Sequence, residues 1–294
     1  MSADRKENIS GPSNKLAFAF VQELALESSA GKIEIPSFPE VAVRIRKVLA
    51  DDNCDAAQVA KVVSAEAAMA AKLLQMANSA ALNPNGSKIT ELKSAIARIG
   101  FSNVRTASLA YAMEQIRNAP TLAPIKKPLN DLWEHSVKVA AMAFVVARRW
   151  TRVNADRALL AGLMHGMGRV YILTRAVKHP ELFSDTAAYH QIVRDWHASI
   201  AKAVLESWEI APDIVEAVEQ YEQLGRIGGE EADLTDVLTI AALLVSHHKD
   251  LETLELQLGE TGASTRLGIT RDSVQKVLQE TAEELASLHK ALGG

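Results

Sequence analysis

Apolar residues recur along this chain at steps of three and four, and runs alternating with a period of two are missing. A period near 3.6 lays one stripe of a helix against a core, so the pattern predicts an all-α fold. In PEVAVRIRKVLADD, Pro39 suits a first helical turn, and Val41, Ile45, Val48 and Leu49 fall on one face. Asp55 and Gln58 have the spacing of a capping box for a short helix. In EAAMAAKLLQMANSAAL, Met69, Leu73, Met76 and Ala80 form a stripe, which Asn83 and Pro84 end. Thr90 is placed to cap TELKSAIARIG, where Leu92, Ile96 and Ile99 share a face. Gly100 then suits a C-terminal cap, and Ser102 opens another helix.

The segment NAPTLAPIKKPLN carries Pro120, Pro124 and Pro128, which oppose regular helix and predict an extended, stiff connection. Beyond it the pattern predicts helices near 130–150, 155–175, 186–208, 212–224 and 233–248. A last helix follows Thr270, with Val274, Leu278, Leu285, Leu288 and Leu292 on its apolar side. The glycines and acids of LGRIGGEEAD, Leu224 to Asp233, read as a mobile loop. The predicted division is a tail and flanking helix over 1–32, a domain over 33–225, and a loop with C-terminal helices over 226–294. Within that domain a helical part (33–118) is joined by the proline-rich connection (119–129) to a second helical part (130–225).

At 294 residues and 48% apolar composition the chain has enough material for a continuous core. Cys54 is the only cysteine, which excludes an intrachain disulfide and any thiolate cluster built from one chain, and fits a cytoplasmic setting. No apolar run approaches the roughly 20 residues that cross a bilayer, so no membrane partner is expected. A formal net charge of −4 without long Lys/Arg blocks gives little attraction to nucleic acid.

Chemistry-bearing residues gather around three histidines. His135 lies in the stripe Leu132, His135, Val139, Met142, Val146 and so points inward. His165 follows Ala161 and Gly162, small residues that leave room beside an imidazole. His197 precedes the buried face Ile200, Ala201, Val204, Leu205 and Trp208. Three imidazoles meeting in one core could hold a metal with water in the fourth place; three separate, internally bonded histidines are the alternative. Arg169, four residues after His165, is either a bidentate phosphate contact or a surface cation near a helix end.

The pieces IPSFPEVAVRI, AAKLLQMANSAALN, ITELKSAIARIGFSNVR, LWEHSVKVAAMA, ALLAGLMHGMGRV and WHASIAKAVLESWEIAPDIVEAV together resemble the HDOD family, relatives of the HD phosphohydrolases. The resemblance implies a helical N-terminal portion packed against an HD-like helical bundle. By that likeness His135 resembles the first metal-ligand histidine of the active relatives, His165 the histidine of their His-Asp pair, and His197 the next ligand histidine. Gly166 stands where the Asp of the pair would be. The stretch VEQYEQ lacks the histidines of binuclear relatives, and Ala242 stands where an Asp often closes the site. Glycine supplies neither ligand nor charge, and divalent ions that activate water for phosphoryl transfer favour sites with carboxylates.

The expectation is therefore a non-catalytic bacterial signalling protein with no cofactor, a single metal at His135, His165 and His197 being the alternative. It would act on a protein partner, with a nucleotide ligand or a second copy of the chain as further candidates. A divergent metal-dependent phosphohydrolase is the alternative function. A nucleic-acid-binding regulator ranks behind both, because the second helix of DAAQVAKVVSAEAAMAAKLLQMANSAAL offers only Lys72 as a basic residue between Glu66 and Leu82.

Overall fold

The computed structural model describes residues 12–29, 39–51, 53–84, 86–247, 250–270 and 280–293. Every regular element among them is helical. The N-terminal half comprises α1 (Pro12–Ser29), α2 (Glu40–Leu49), α3 (Ala56–Val63), α4 (Ala67–Ala77) and α5 (Leu92–Arg117). Asp55 and Gln58 form the reciprocal capping box at the start of α3. Glu91, not Thr90, takes the N-cap position of α5, without a side-chain cap bond. Gly100 (φ 73°) breaks α5 into two helices, a left-handed backbone position that glycine occupies without steric penalty. Met69, Leu73 and Met76 are buried, whereas Ala80 lies beyond the end of α4 and is exposed.

The proline-rich connection is compact, not extended. Pro120–Ile125 winds into a 3₁₀ turn and leads directly into α6 (Lys126–Trp150), with Pro128 in its first turn. The early amides of a helix have no intrahelical acceptor, so a proline there loses nothing. Helix α6 is the axis of the second half: α7 (Ala155–Met164) and α11 (Leu234–His247) pack along it. Gly162 lets α7 approach closely, since a Cβ there would lie 2.5 Å from the Cα of Ala140. The predicted helix over 155–175 is two helices, because the chain turns at His165 and Gly166 before α8 (Met167–Ala176). Apolar periodicity runs through that turn, which is why sequence pattern alone joins the two.

Helix α9 (Thr186–Ser207) packs on α8, and α10 (Pro212–Gln220) on α9, α7 and α11. The stretch Leu224 to Asp233 is anchored at Arg226, whose guanidinium pairs with Asp233 and, at 3.2 Å, with Asp236 of α11. Two short helices missed by the sequence pattern follow, α12 (Leu251–Glu260) and α13 (Gly262–Leu267). The last described helix, α14 (Ala282–Leu292), buries Leu288 and Leu292 and half-buries Leu285; Val274 and Leu278 lie outside the described residues. It packs on both α4 and α6, and bonds from Gln75 to the Lys290 carbonyl (3.0 Å) and from Trp133 to the Gly293 carbonyl (3.1 Å) staple the halves together. At the other end α1 docks on α9, with Phe20 and Leu24 fully buried and Glu27 paired to Arg175 at 2.9 Å.

Candidate functional site: a cavity around an incomplete histidine centre

A cavity of about 450 Å³ opens between α6, the α7–α8 turn, the end of α10, α11 and α12. His135, His165, Arg169, Tyr221, Glu222 and Ala242 line it, with Ser246, His247 and Gln257 completing the wall. Two of the three sequence-predicted histidines are neighbours: the rings of His135 and His165 meet edge to face at 5.4 Å, and His165 meets Tyr221 the same way at 5.4 Å. His165 is only 3% exposed. Its Nδ1 lies 2.6 Å from the Gly162 carbonyl, which can only accept, so Nδ1–H donates and Nε2 keeps its lone pair. Burial pushes the His165 pKa down to about 3 against the opposing bond to Gly162, and His135 and Arg169 add to the depression. Burial likewise lowers His135, helped by the charges of Arg169 and Lys138.

His197 does not join that pair. Its Nδ1 faces the Val193 carbonyl at 2.7 Å and its Nε2 faces Glu222 Oε2 at 2.9 Å. Both ring nitrogens are therefore engaged by oxygen. Glu222 is the hub of this second cluster: Oε1 accepts from Arg169 at 2.5 Å and from the Tyr221 hydroxyl at 2.7 Å, while Oε2 faces His197. Burial favours its neutral acid, but the hydrogen bond from His197 and the charge of Arg169 outweigh that and hold the carboxyl down to about 2. Tyr221 moves the other way, raised by burial and by the neighbouring carboxylate. Arg169 lines the cavity, and its guanidinium is paired with Glu222 Oε1.

This geometry tests whether the residues suit the divalent metal of HD phosphohydrolases. Gly166 provides no donor, and a Cβ built on it would lie 2.7 Å from Ser136 Oγ. Glu222 has both oxygens committed and His197 both nitrogens. Among the described residues no group of three or more His, Cys, Asp and Glu side chains is placed to hold a metal ion. The residues present do not fit the metal centre that the resemblance suggests.

Tyr221 and Glu222 were missed from sequence. Tyr221 continues the stripe of Ile214 and Val218, both buried, and was readable as inward-facing. Glu222 had no local signal, since its partners His197 and Arg169 are remote in the chain and it lies beyond the end of α10. Ser246, His247 and Gln257 lie after residue 225, outside the domain bounds read from the sequence. His247 is half-buried against the cavity, while His248 lies outside the described residues.

The buried neutral imidazole has a measurable consequence. In the unfolded chain His165 takes up a proton near its ordinary value of 6.5, whereas in the fold it resists protonation down to about 3. Across that window the unfolded state binds more protons, so stability is full above pH 6.5 and declines as pH falls. Glu222 adds a loss in the same direction between its ordinary 4.5 and about 2. Denaturant unfolding against pH is expected to show a shallower decline from pH 6.5 to 4 in His165→Gln than in the wild type. Equal slopes would contradict the burial argument.

Fold and site together define an all-α helical bundle built around an incomplete histidine centre. The chain belongs to the HDOD family, whose domain model matches residues 35–224. It is similar to the solved structure of a Shewanella amazonensis SB2B protein provisionally named a metal-dependent phosphohydrolase, with a TM-score of 0.78, 25% identity, and coverage of 95% of this chain and 99% of that one. A Marinobacter aquaeolei VT8 protein, provisionally named a signal transduction protein, shares the fold at TM-score 0.61 and 19% identity, over 98% of this chain and 68% of that one. An uncharacterized protein of Treponema pallidum (strain Nichols) is 22% identical over 275 residues, or 88% of this chain. The chain spans 50% of that relative's length. Among the described residues no helix is long and apolar enough to cross a membrane.

Proposed function

We propose that this chain is a regulatory module of a bacterial signalling pathway that acts by binding a protein partner, and that its HD-like cavity is non-catalytic. The observation that carries the reading is the bonding of Glu222: its carboxylate is engaged by Arg169, Tyr221 and His197, so a divalent ion would have to displace those partners to use it. Gly166 compounds this by leaving the His-Asp pair without its acid. Hydrolysis of a phosphoester at such centres draws on metal-activated water, and neither His135 nor a neutral His165 replaces it. Membership of the HDOD family and the name of the Marinobacter structure favour a signalling role. The uncharged Nε2 of His165 offers an acceptor to a small ligand, through which the cavity would tune the partner-binding surface.

The second reading, a divergent phosphohydrolase, draws on the name of the Shewanella protein and the high overlap with its structure. Elemental analysis of protein purified without added metal, paired with a phosphodiester hydrolysis assay in manganese or magnesium, separates the two. Far less than one metal per chain and no turnover above background are expected. Stoichiometric metal with turnover that disappears in His165→Ala would reverse the order.

A further inference from the structure

A second cleft, of about 160 Å³, lies away from the histidines, where the N-terminal half meets the turn between α9 and α10. Arg46 of α2, Arg105 and Ser108 of α5, and Trp208, Glu209 and Ile210 of the turn line it. We propose that this cleft binds a small phosphoryl-type oxyanion, its oxygens held by Arg46 and Arg105 and the group that bears it resting on Trp208 and Ile210.

Two cations line this cleft with little countercharge beside them. Arg105 is half-buried, and among the described residues its guanidinium has no carboxylate or other side-chain partner. The charge that acts on it is a like one, Arg157, whose own guanidinium is tied to Asp213. The Nε of Arg46 is buried without a hydrogen-bond partner, and its carboxylate neighbour Glu209 stands off at 3.9 Å. A protein seldom holds two partly buried guanidinium groups side by side without a close anion, because desolvation of an unpaired charge is costly. Planar guanidinium forks match the oxygens of phosphate better than any other side chain does.

Size and walls narrow the ligand. At about 30 Å³ per water, the cleft holds about five waters' worth of volume, which suits one phosphoryl group with a short apolar continuation. Ala42, Leu109, Trp208 and Ile210 make the remaining walls apolar. Glu209 sits at the mouth with its side chain 76% exposed and its backbone in the left-handed region (φ 54°), a conformation that costs a non-glycine residue energy. Its carboxylate stands where the ligand's negative charge would go, as a weak tethered competitor. The site joins elements from both halves of the molecule, so occupancy would brace them against each other. That role is independent of the histidine cavity and of whether that cavity is catalytic.

Calorimetric titration of the full chain with inorganic phosphate and with phenyl phosphate, at constant ionic strength, tests the assignment. Wild-type protein is expected to bind both, and phenyl phosphate more tightly. Arg105→Gln and Arg46→Gln should each weaken binding about tenfold or more, the worth of one charge-assisted hydrogen bond. Arg152→Gln, which alters a side chain 93% exposed elsewhere, should leave affinity unchanged, and Glu209→Gln should raise it. Circular dichroism confirms that each variant is folded, and the exposed Glu209→Gln keeps the test decisive if an arginine variant is not. Absence of binding, or an equal loss in Arg152→Gln, would overturn the proposal.

Discussion

Asp236→Ala is expected to cost about 3–5 kcal/mol of folding stability, one of the two largest effects foreseen for any single substitution in this chain. Asp236 is 2% exposed and accepts a two-pronged bond from Arg266, at 2.7 Å and 2.6 Å, together with the 3.2 Å bond from Arg226. Both arginines are themselves largely buried, with side chains 16% and 14% exposed. Removing the carboxylate strands the Arg266 cation in a poorly solvated place and leaves Arg226 with Asp233 alone, and that uncompensated charge, more than the lost attraction, sets the size of the effect. The network also ties the Leu224–Asp233 stretch and α13 to α11, which carries Thr239, Ala242 and Ser246 into the wall of the histidine cavity. Urea unfolding measures the loss. A decrease under about 1 kcal/mol would show that water reaches the arginines after all. The paired change Asp236→Leu with Arg266→Met should recover part of it, since an apolar pair leaves less charge unpaired.

Gly168→Ala is expected to destabilise the protein by about 3 kcal/mol or more, a large penalty for one methyl group. A Cβ at Gly168 would overlap the carbonyl oxygen of His197, lie 2.7 Å from its carbonyl carbon and 3.0 Å from the Ala201 amide nitrogen. These are backbone atoms of α9, and no rotamer change relieves them. Helices α8 and α9 would have to separate, moving His197 off Glu222 and loosening the hold on Arg169. Gly166→Ala supplies the control two residues away. Its added methyl meets only Ser136 Oγ at 2.7 Å, and its backbone (φ −83°) already suits any residue, so rotation of one hydroxyl accommodates it. Thermal or denaturant unfolding of the pair should give a large loss for Gly168→Ala and under about 1 kcal/mol for Gly166→Ala. Equal midpoints for the two variants would refute the close-approach account.

The same contrast bears on the missing acid. Nothing in the backbone at Gly166 demands glycine, and the atom that a side chain there would meet first is Ser136 Oγ. On the reading proposed above, restoring the acid by Gly166→Asp is not expected by itself to rebuild a divalent centre, because Glu222 keeps its bonds to Arg169, Tyr221 and His197.

Several features were legible in the linear pattern because they depend on neighbours one or two turns away. The capping box at Asp55, the break at Gly100 and the burial of Met69, Leu73 and Met76 all follow from i, i+3 and i+4 relations. His165 and His197 were read as inward-facing on the same basis, and both are buried. The misreadings share a cause. Continuous apolar periodicity hid the turn at His165, and three prolines suggested extension where two of them open helical turns. Exposed-looking Arg226 gave no hint that it would anchor a glycine-rich stretch.

Local periodicity by itself determined that the chain is all helix, where most helices lie, and that the imidazoles of His135, His165 and His197 face inward, since the energy of burying a stripe is fixed by spacing along one helix. Only tertiary structure decided which histidines meet. His165 turns toward His135 and Tyr221, while His197 is drawn to Glu222 and Arg169. Those partners come from segments remote in sequence, and their attraction acts through space, a relation that order along the chain does not encode.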